Sequence, residues 1–454
     1  MKTKYLSILF FLLVFNGCSK DETPPIVPPP PPPPDYRKIT LAVEDVSYTE
    51  AWINIKTDSI IFPASITLLK NTNEEKFVLF NNDTTVYVDS LMPNVNYTFQ
   101  AVLTGDTIKS DTVKANTLEP TSHNFTWVSW EFGTHSSSAL YDVAIIDENN
   151  IWAVGEIYMN DSLGNPDSKR YNSAIWNGNE WDVKRIPYNY QGTEFIHPIQ
   201  SVFAFSANDI WFCGNGVIHW DGSNYLPITI PTDVWGPYLM NKIWGTSSED
   251  LYVVGNAGNI AHYENGVWTK IESGTDLDLT DIYGDGEGNL YAAGINIAEI
   301  KGVVVKGDQS GNWGVMIEGD IIDESELFDK LYGSLTSIWA DDNNTIYTGG
   351  NLLYQFKGNQ WDYVRSLPEN FLGGNPGTFY RGFINSIRGN LSNDWIIAGD
   401  RNTLKHFNGV DWAQLGLPYD PNSGIKWSRI EIKSDIAVAV GDEGIKAKIM
   451  LLKR

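Results

Sequence analysis

Residues 199–215, IQSVFAFSANDIWFCGN, carry the pattern that decides the fold. An apolar run rich in aromatic and β-branched residues breaks at the polar turn Ser206-Ala207-Asn208-Asp209. A second apolar run then stops at Gly214. Two such runs around a short polar break read as an antiparallel hairpin. The same pattern returns as LYDVAIIDENNIWAVGE (140–156), MNKIWGTSSEDLYVVGN (240–256), LTDIYGDGEGNLYAAGI (279–295), LTSIWADDNNTIYTGGN (335–351), INSIRGNLSNDWIIAGD (384–400) and WSRIEIKSDIAVAVGDEG (427–444). An aliphatic residue precedes a glycine by twelve positions in six copies: Val143/Gly155, Val202/Gly214, Ile243/Gly255, Ile282/Gly294, Ile338/Gly350 and Ile387/Gly399. In the seventh, Ile430/Gly441, the interval is one shorter. Most copies are followed by a second half such as GVIHWDGSNYLPI (216–228) or GNIAHYENGVWTKI (258–271). It reads as a third strand, an Asp-Gly or Asn-Gly turn whose positive φ glycine supplies without a Cβ clash, and a fourth strand opening on Trp or Tyr.

A four-stranded antiparallel unit repeated in this way is a propeller blade. Seven copies predict a seven-bladed β-propeller over residues 119–454. The last copy runs short, because only IKAKIMLLKR (445–454) remains after it. The segment NFTWVSWEFG (124–133) has the look of an orphan strand, and it is predicted to pair with the C-terminal strand and close the ring. Closure removes the exposed edges that an open array would present. The repeat resembles the broad class of bacterial seven-bladed propellers. It lacks the Ser-x-Asp-x-Gly-x-Thr-Trp box of sialidase-type propellers and the His…Trp-Asp signature of the eukaryotic signalling type. The resemblance implies an architecture and no activity, since one fold hosts many functions.

Residues 36–118 alternate through seven short apolar runs, which read as an all-β Greek-key sandwich. In DTTVYVDSLMPNVNYTFQAVL (83–103), Leu91, Pro93 and Tyr97 follow the Leu-x-Pro-x-x-x-Tyr pattern of fibronectin type III domains. The segment resembles that family. The resemblance implies that the Tyr97 hydroxyl ties a corner to nearby backbone, that Trp52 sits in the core, and that the domain is a spacer.

Ahead of it, residues 1–17 read as a lipoprotein signal. Lys2 and Lys4 precede an apolar stretch from Leu6 to Phe15 that is too short to span a bilayer comfortably. Phe15-Asn16-Gly17-Cys18 resembles a lipobox, which implies acylation of Cys18. The Ser19-Lys20-Asp21-Glu22 that follows resembles the acidic tag of surface lipoproteins of the Bacteroidetes. The run TPPIVPPPPPPPD (23–35) is an extended polyproline tether, so residues 18–35 lift the remainder off the membrane. The expected location is the outer membrane, facing outward, with the lipid as the only membrane contact.

A net charge of −24 repels phosphate backbones and argues against nucleic acid as a partner. Two cysteines far apart, Cys18 and Cys213, support no disulfide framework, and Cys213 reads as a buried small hydrophobe. His219, His262 and His406 fall at one repeat position and read as structural. With no phosphate loop, nucleophile elbow or zinc pattern, no cofactor and no metal are expected. The long segments join blades, or join second to third strands, so they emerge together on one face. They carry Tyr158, Arg170, Tyr188, Tyr190, His197, Trp235, Tyr238, Tyr332, Tyr380 and Arg381 as candidate ligand-binding residues. Aromatic faces stack on sugar rings and on peptide side chains, so the expected partner is a polysaccharide or glycoconjugate held without catalysis. A place beside an outer-membrane protein complex is a further expectation. An enzyme acting on glycans, with loop acids such as Asp320, Asp323, Glu324 and Glu326, and a protein-binding assembly subunit are the alternatives.

Overall fold

The computed structural model describes residues 35–319, 333–357, 360–363, 383–418, 420 and 422–454. Cys18, Tyr332, Tyr380, Arg381 and the acids at 320–326 lie outside them. Every regular element among the described residues is a strand.

The N-terminal unit is a two-sheet sandwich. Strands β1 (Lys38–Val46), β2 (Ala51–Asp58) and β5 (Asp83–Val88) form one sheet. The other runs in the order β4 (Asn73–Leu79), β3 (Ala64–Lys70), β6 (Asn96–Leu103), β7 (Val113–Asn116). Alternation drives Ile39, Leu41, Ile53, Ile55, Ile66, Leu68, Val86, Phe99 and Ala101 into one core between them. Tyr97 Oη accepts the Met92 N–H at 2.7 Å and so ties the corner before β6. Trp52 departs from expectation. Ala51, Ile53 and Ile55 already face inward on β2, so strand periodicity turns Trp52 to the opposite side, against Tyr87.

Among the described residues, seven four-stranded antiparallel sheets, here I to VII, follow in chain order. Their first strands are Ala139–Asp147, Ile199–Ser206, Met240–Ser247, Asp278–Gly284, Leu335–Ala340, Ile384–Leu391 and Ile425–Lys433. Each first strand packs against that of the next sheet, and the strand of sheet VII packs against that of sheet I, so they encircle a central channel. The hydrophobic core lies between neighbouring sheets. Trp152 and Val154 of sheet I, for example, meet Val202, Ile210 and Phe212 of sheet II. Sheet VII is composite: β8 (Thr126–Phe132) pairs with the C-terminal strand Lys446–Lys453 along its length, Lys453 facing Thr126 and Ala447 facing Phe132.

The repeated histidines are buttresses. His219, His262 and His406 bond through Nε2 to Asp209, Asp250 and Asp394 at 2.9, 2.7 and 2.8 Å, and each of these aspartates opens the second strand of its sheet. Cys213 is free and buried, and desolvation pushes its thiol far above the ordinary value.

The sandwich docks on sheets V and VI at the ends where their first and second strands turn. Lys357 of sheet V places its ammonium 4.0 Å over Trp52 and 5.1 Å over Tyr87, and bonds Glu50 at 2.7 Å. Tyr48, only 6% exposed, packs edge-on against Phe407. It also covers Gly409, where a Cβ would collide with its ring. The connecting segment is pinned to sheet VI, where Thr121 donates to Asn393 O and Asn393 donates back to Glu119 O. This contact involves the β1–β2 turn. The chain enters the sandwich at Lys38, the far end of a nine-residue strand and roughly 30 Å away.

Candidate functional site

A β-bulge interrupts the first strand of every one of the seven sheets, one residue into the repeat. Pairing skips Tyr141, Gln200, Asn241, Thr280, Thr336, Asn385 and Ser428. A bulge frees its residue from the ladder and re-aims the side chain. All seven point to one place. Together with Lys426 and Arg429 they line a single cavity of about 220 Å³ at the channel mouth. This is the end at which the chain enters each first strand, so the mouth lies on the face that carries the inter-sheet connections. The sandwich holds the opposite face.

Four of the seven bulge residues are stitches. Asn241 Nδ2 donates to Leu279 O and Thr280 Oγ1 to Thr336 O. Thr336 Oγ1 donates to Ile384 O and Asn385 Nδ2 to Trp427 O, so sheets III to VII are joined in sequence. Arg429 crosses to Asn385 O and Thr280 O at 2.7 Å each. The remaining arc differs. The side chains of Gln200, Lys426 and Ser428 make no hydrogen bond among the described residues, and Tyr141 bonds within its own sheet to Glu156 at 2.7 Å. The mouth is therefore closed by structure on one side and open for new hydrogen bonds across sheets VII, I and II.

One residue deeper, charges cross the channel. Asp142 accepts Ser201 Oγ at 2.6 Å, the Val202 N–H at 3.0 Å and Lys242 Nζ at 2.7 Å, linking sheets I, II and III. Asp281 repeats the arrangement on sheets IV, V and VI, with Ser337 Oγ at 2.6 Å, the Ile338 N–H at 3.1 Å and a two-point contact from Arg388 at 2.7 and 3.0 Å. Burial opposes ionisation of Asp281, but Arg388 and Arg429 hold its carboxyl well below the usual range. Glu431 lies nearby on sheet VII, 3.9 Å from Arg388 Nε and about one-third exposed (34%). Desolvation pushes it up to about 7, against the pull of Arg388 and Lys242.

Because the folded value lies above the ordinary 4.5, ionising Glu431 costs stability. The cost is absent below the ordinary value, grows as pH rises, and is complete above about 7. Glu431→Gln is expected to raise the melting temperature at pH 8 and leave it unchanged at pH 4. A lower melting temperature at pH 8 would show instead that Arg388 depends on this carboxylate.

Four of the candidate loop residues gather on the open arc. Glu156 accepts hydrogen bonds from Tyr141, from Tyr158 at 2.8 Å and from Arg170 at 2.7 Å, and the Arg170 guanidinium lies 5.4 Å from the Tyr158 ring centre. His197 stacks on Phe195, and burial together with the Arg170 charge holds its imidazole below the ordinary value. Tyr188 and His197 wall a crevice of about 20 Å³, room for one water. Gly216 lets that ring approach, since a Cβ there would come within 2.8 Å of it. Tyr190 belongs to the short hairpin Tyr188–Tyr190/Thr193–Phe195 beside it. Tyr238, 46% exposed, sits apart on the loop before sheet III. Trp235 corrects the sequence expectation. It is 5% exposed, packs with Trp211, Cys213 and Met240, and donates Nε1 to Tyr238 O at 2.8 Å, so its ring is spent on holding the loop. The bulge residues themselves escaped the sequence reading, although all seven copies place a polar residue in that column.

No protein-family model matches the chain, and no curated protein does. Solved structures match. One described as YCF48 bound to D1 peptide is 14% identical over 72% of this chain and 97% of its own, with a TM-score of 0.50. YCF48 from Cyanidioschyzon merolae is 15% identical over 72% and 98%, with a TM-score of 0.47. The WD40 β-propeller domain of Doa1 is 10% identical over 71% and 95%, with a TM-score of 0.48. The first likeness establishes the fold of sheets I to VII as a β-propeller, and at such identity nothing further.

Proposed function

We propose that this chain is a surface-anchored, non-catalytic capture protein. In this reading the seven sheets are the seven blades of a propeller closed by β8. The sandwich is a fibronectin type III-like spacer, and the acylated Cys18 with its proline tether fixes the chain to the outer membrane. The propeller holds an extracellular glycan at its channel mouth. The observation that carries the reading is the convergence of seven bulged side chains, one per sheet, on a single cavity. Orientation supports it, because the spacer occupies the face opposite the mouth and the tether enters at the spacer's far end. The mouth then points away from the membrane.

The open arc offers an amide from Gln200, a hydroxyl from Ser428, an ammonium from Lys426 and the ring of Tyr141. Amides and hydroxyls beside an aromatic face suit the alternating polar and apolar surfaces of a sugar ring. The channel carboxylates Asp142 and Asp281 are each engaged by a cation, which leaves neither as a ready acid or base. A second reading, capture of a peptide segment, is favoured by the propeller of like fold whose structure is described as bound to a peptide.

The chain from residue 36 onward is to be passed over plant, mucin and microbial polysaccharides, scoring retention and released reducing ends together. Retention without release is expected, weakened at least tenfold by Gln200→Ala with Ser428→Ala and unchanged by Tyr238→Ala. Release of reducing ends would place the protein among enzymes. Retention of peptides alone would replace the glycan with the second reading.

A further inference from the structure

We propose that the cleft between the sandwich and sheets V and VI is a binding site for an organic amine cation. The cleft encloses about 470 Å³, within the range of small-molecule sites, and takes its walls from both units. Ser47, Tyr48, Thr49, Glu50 and Asp89 come from the sandwich, and Asp341, Thr345, Gln355 and Phe407 from the two sheets.

Three observations converge on the class of ligand. Charge is the first. Glu50, Asp89 and Asp341 face the cleft against one ammonium, that of Lys357, which is committed to Glu50. Asp341 is 5% exposed, and burial pushes its carboxyl up to about 7 even though the backbone N–H groups of Thr345 and Asn343 stabilise its anion. Asp342 adds repulsion to Asp341, and burial with the neighbouring Asp342 and Glu50 raises Asp45 close by. Among the described residues that line the cleft, Lys357 is the one cation, and its ammonium is already paired with Glu50.

The second observation is an unsatisfied hydroxyl. Thr345 is only 3% exposed and lines the cleft, yet its side chain has no hydrogen-bond partner among the described residues. A hydroxyl on the cleft wall with no partner from the protein is left to bond a ligand or solvent group there. The third is a precedent within the same interface, where Trp52, Tyr87 and Glu50 already grip the Lys357 ammonium between ring faces and a carboxylate. Among the described residues no three His, Cys, Asp or Glu side chains stand close enough to share a metal ion. The carboxylates of the cleft are therefore not gathered around one point, which suits an aliphatic amine or polyamine better than a compact ion. Bound there, such a cation would touch both units and tie the spacer to the propeller.

The test is calorimetric titration of the full chain with spermidine, independent of any ligand at the channel mouth. One saturable site is expected, weakened at least tenfold by Thr345→Val and by Asp89→Asn, and unchanged by Glu74→Gln with Glu75→Gln on an exposed strand of the sandwich. Melting curves of each variant report its folding, and Asp89, being exposed, keeps the test sound if the threonine variant does not fold. Absence of a saturable site at millimolar spermidine overturns the proposal. So does equal binding by every variant, which would mark a diffuse counterion atmosphere around an acidic chain.

Discussion

Deletion of Lys446–Arg454 is expected to abolish the cooperatively folded propeller while leaving the sandwich intact. That strand is the third of sheet VII and buries Ala447, Ile449, Met450, Leu451 and Leu452, none more than 6% exposed. Four large side chains at about 1.5–3 kcal/mol each represent roughly 6–12 kcal/mol of burial, comparable with the whole stability of an ordinary domain. Its loss also strands β8, which has no other partner in its sheet, and opens the ring between sheets VII and I. The sandwich keeps its own core. Near-UV circular dichroism, dominated by 17 tryptophans, together with hydrogen exchange would read the two units separately. A truncated chain that melts cooperatively within a few degrees of the parent would show that the ring does not depend on this closure.

Asp281→Ala is expected to destabilise the propeller by about 3–5 kcal/mol, the usual cost of breaking a buried ion pair by removing one partner. The carboxylate has no exposed surface, and it gathers Arg388, Ser337 and the Ile338 N–H from two neighbouring sheets. Without it Arg388 remains buried, left with the carbonyls of Ile338 and Ile387, a long contact to Ser337 Oγ, the Tyr283 ring and a distant Glu431, none of which is a close counter-charge. Adding Arg388→Met removes the stranded charge, so the double variant is expected to recover part of the loss. Denaturation midpoints for the four proteins of this cycle measure the coupling directly. A cost below about 1 kcal/mol for Asp281→Ala would mean that solvent reaches the pair and screens it.

The candidate site divides along the same physical line as the fold. Loop residues Tyr158, Arg170, Tyr188 and His197 could be named from sequence because long connections between strands share a face. Which of them are available could not. Trp235 and Tyr238 sit three residues apart in one loop, and the first is buried while the second is 46% exposed. Nothing in a loop's residue types distinguishes a ring that anchors it from a ring that it displays. Trp52 makes the same point within a strand, where the side it faces follows from its neighbours' register.

Strand content, the repeat and the closing strand were determined by the sequence alone, because they rest on local rules. Alternation has period two, a hairpin turn needs a residue tolerant of positive φ, and a repeat one strand short needs that strand from elsewhere. The structure alone decided the mouth and the channel. A bulge exists only relative to the strand it fails to pair with, so the polar column Tyr141, Gln200, Asn241, Thr280, Thr336, Asn385 and Ser428 carries no visible mark of its register shift. The ion pairs beneath it join residues 100 and 107 positions apart, Asp142 with Lys242 and Asp281 with Arg388. Closing the ring brings them within 3 Å, and only there does low solvent access make each charge require its partner.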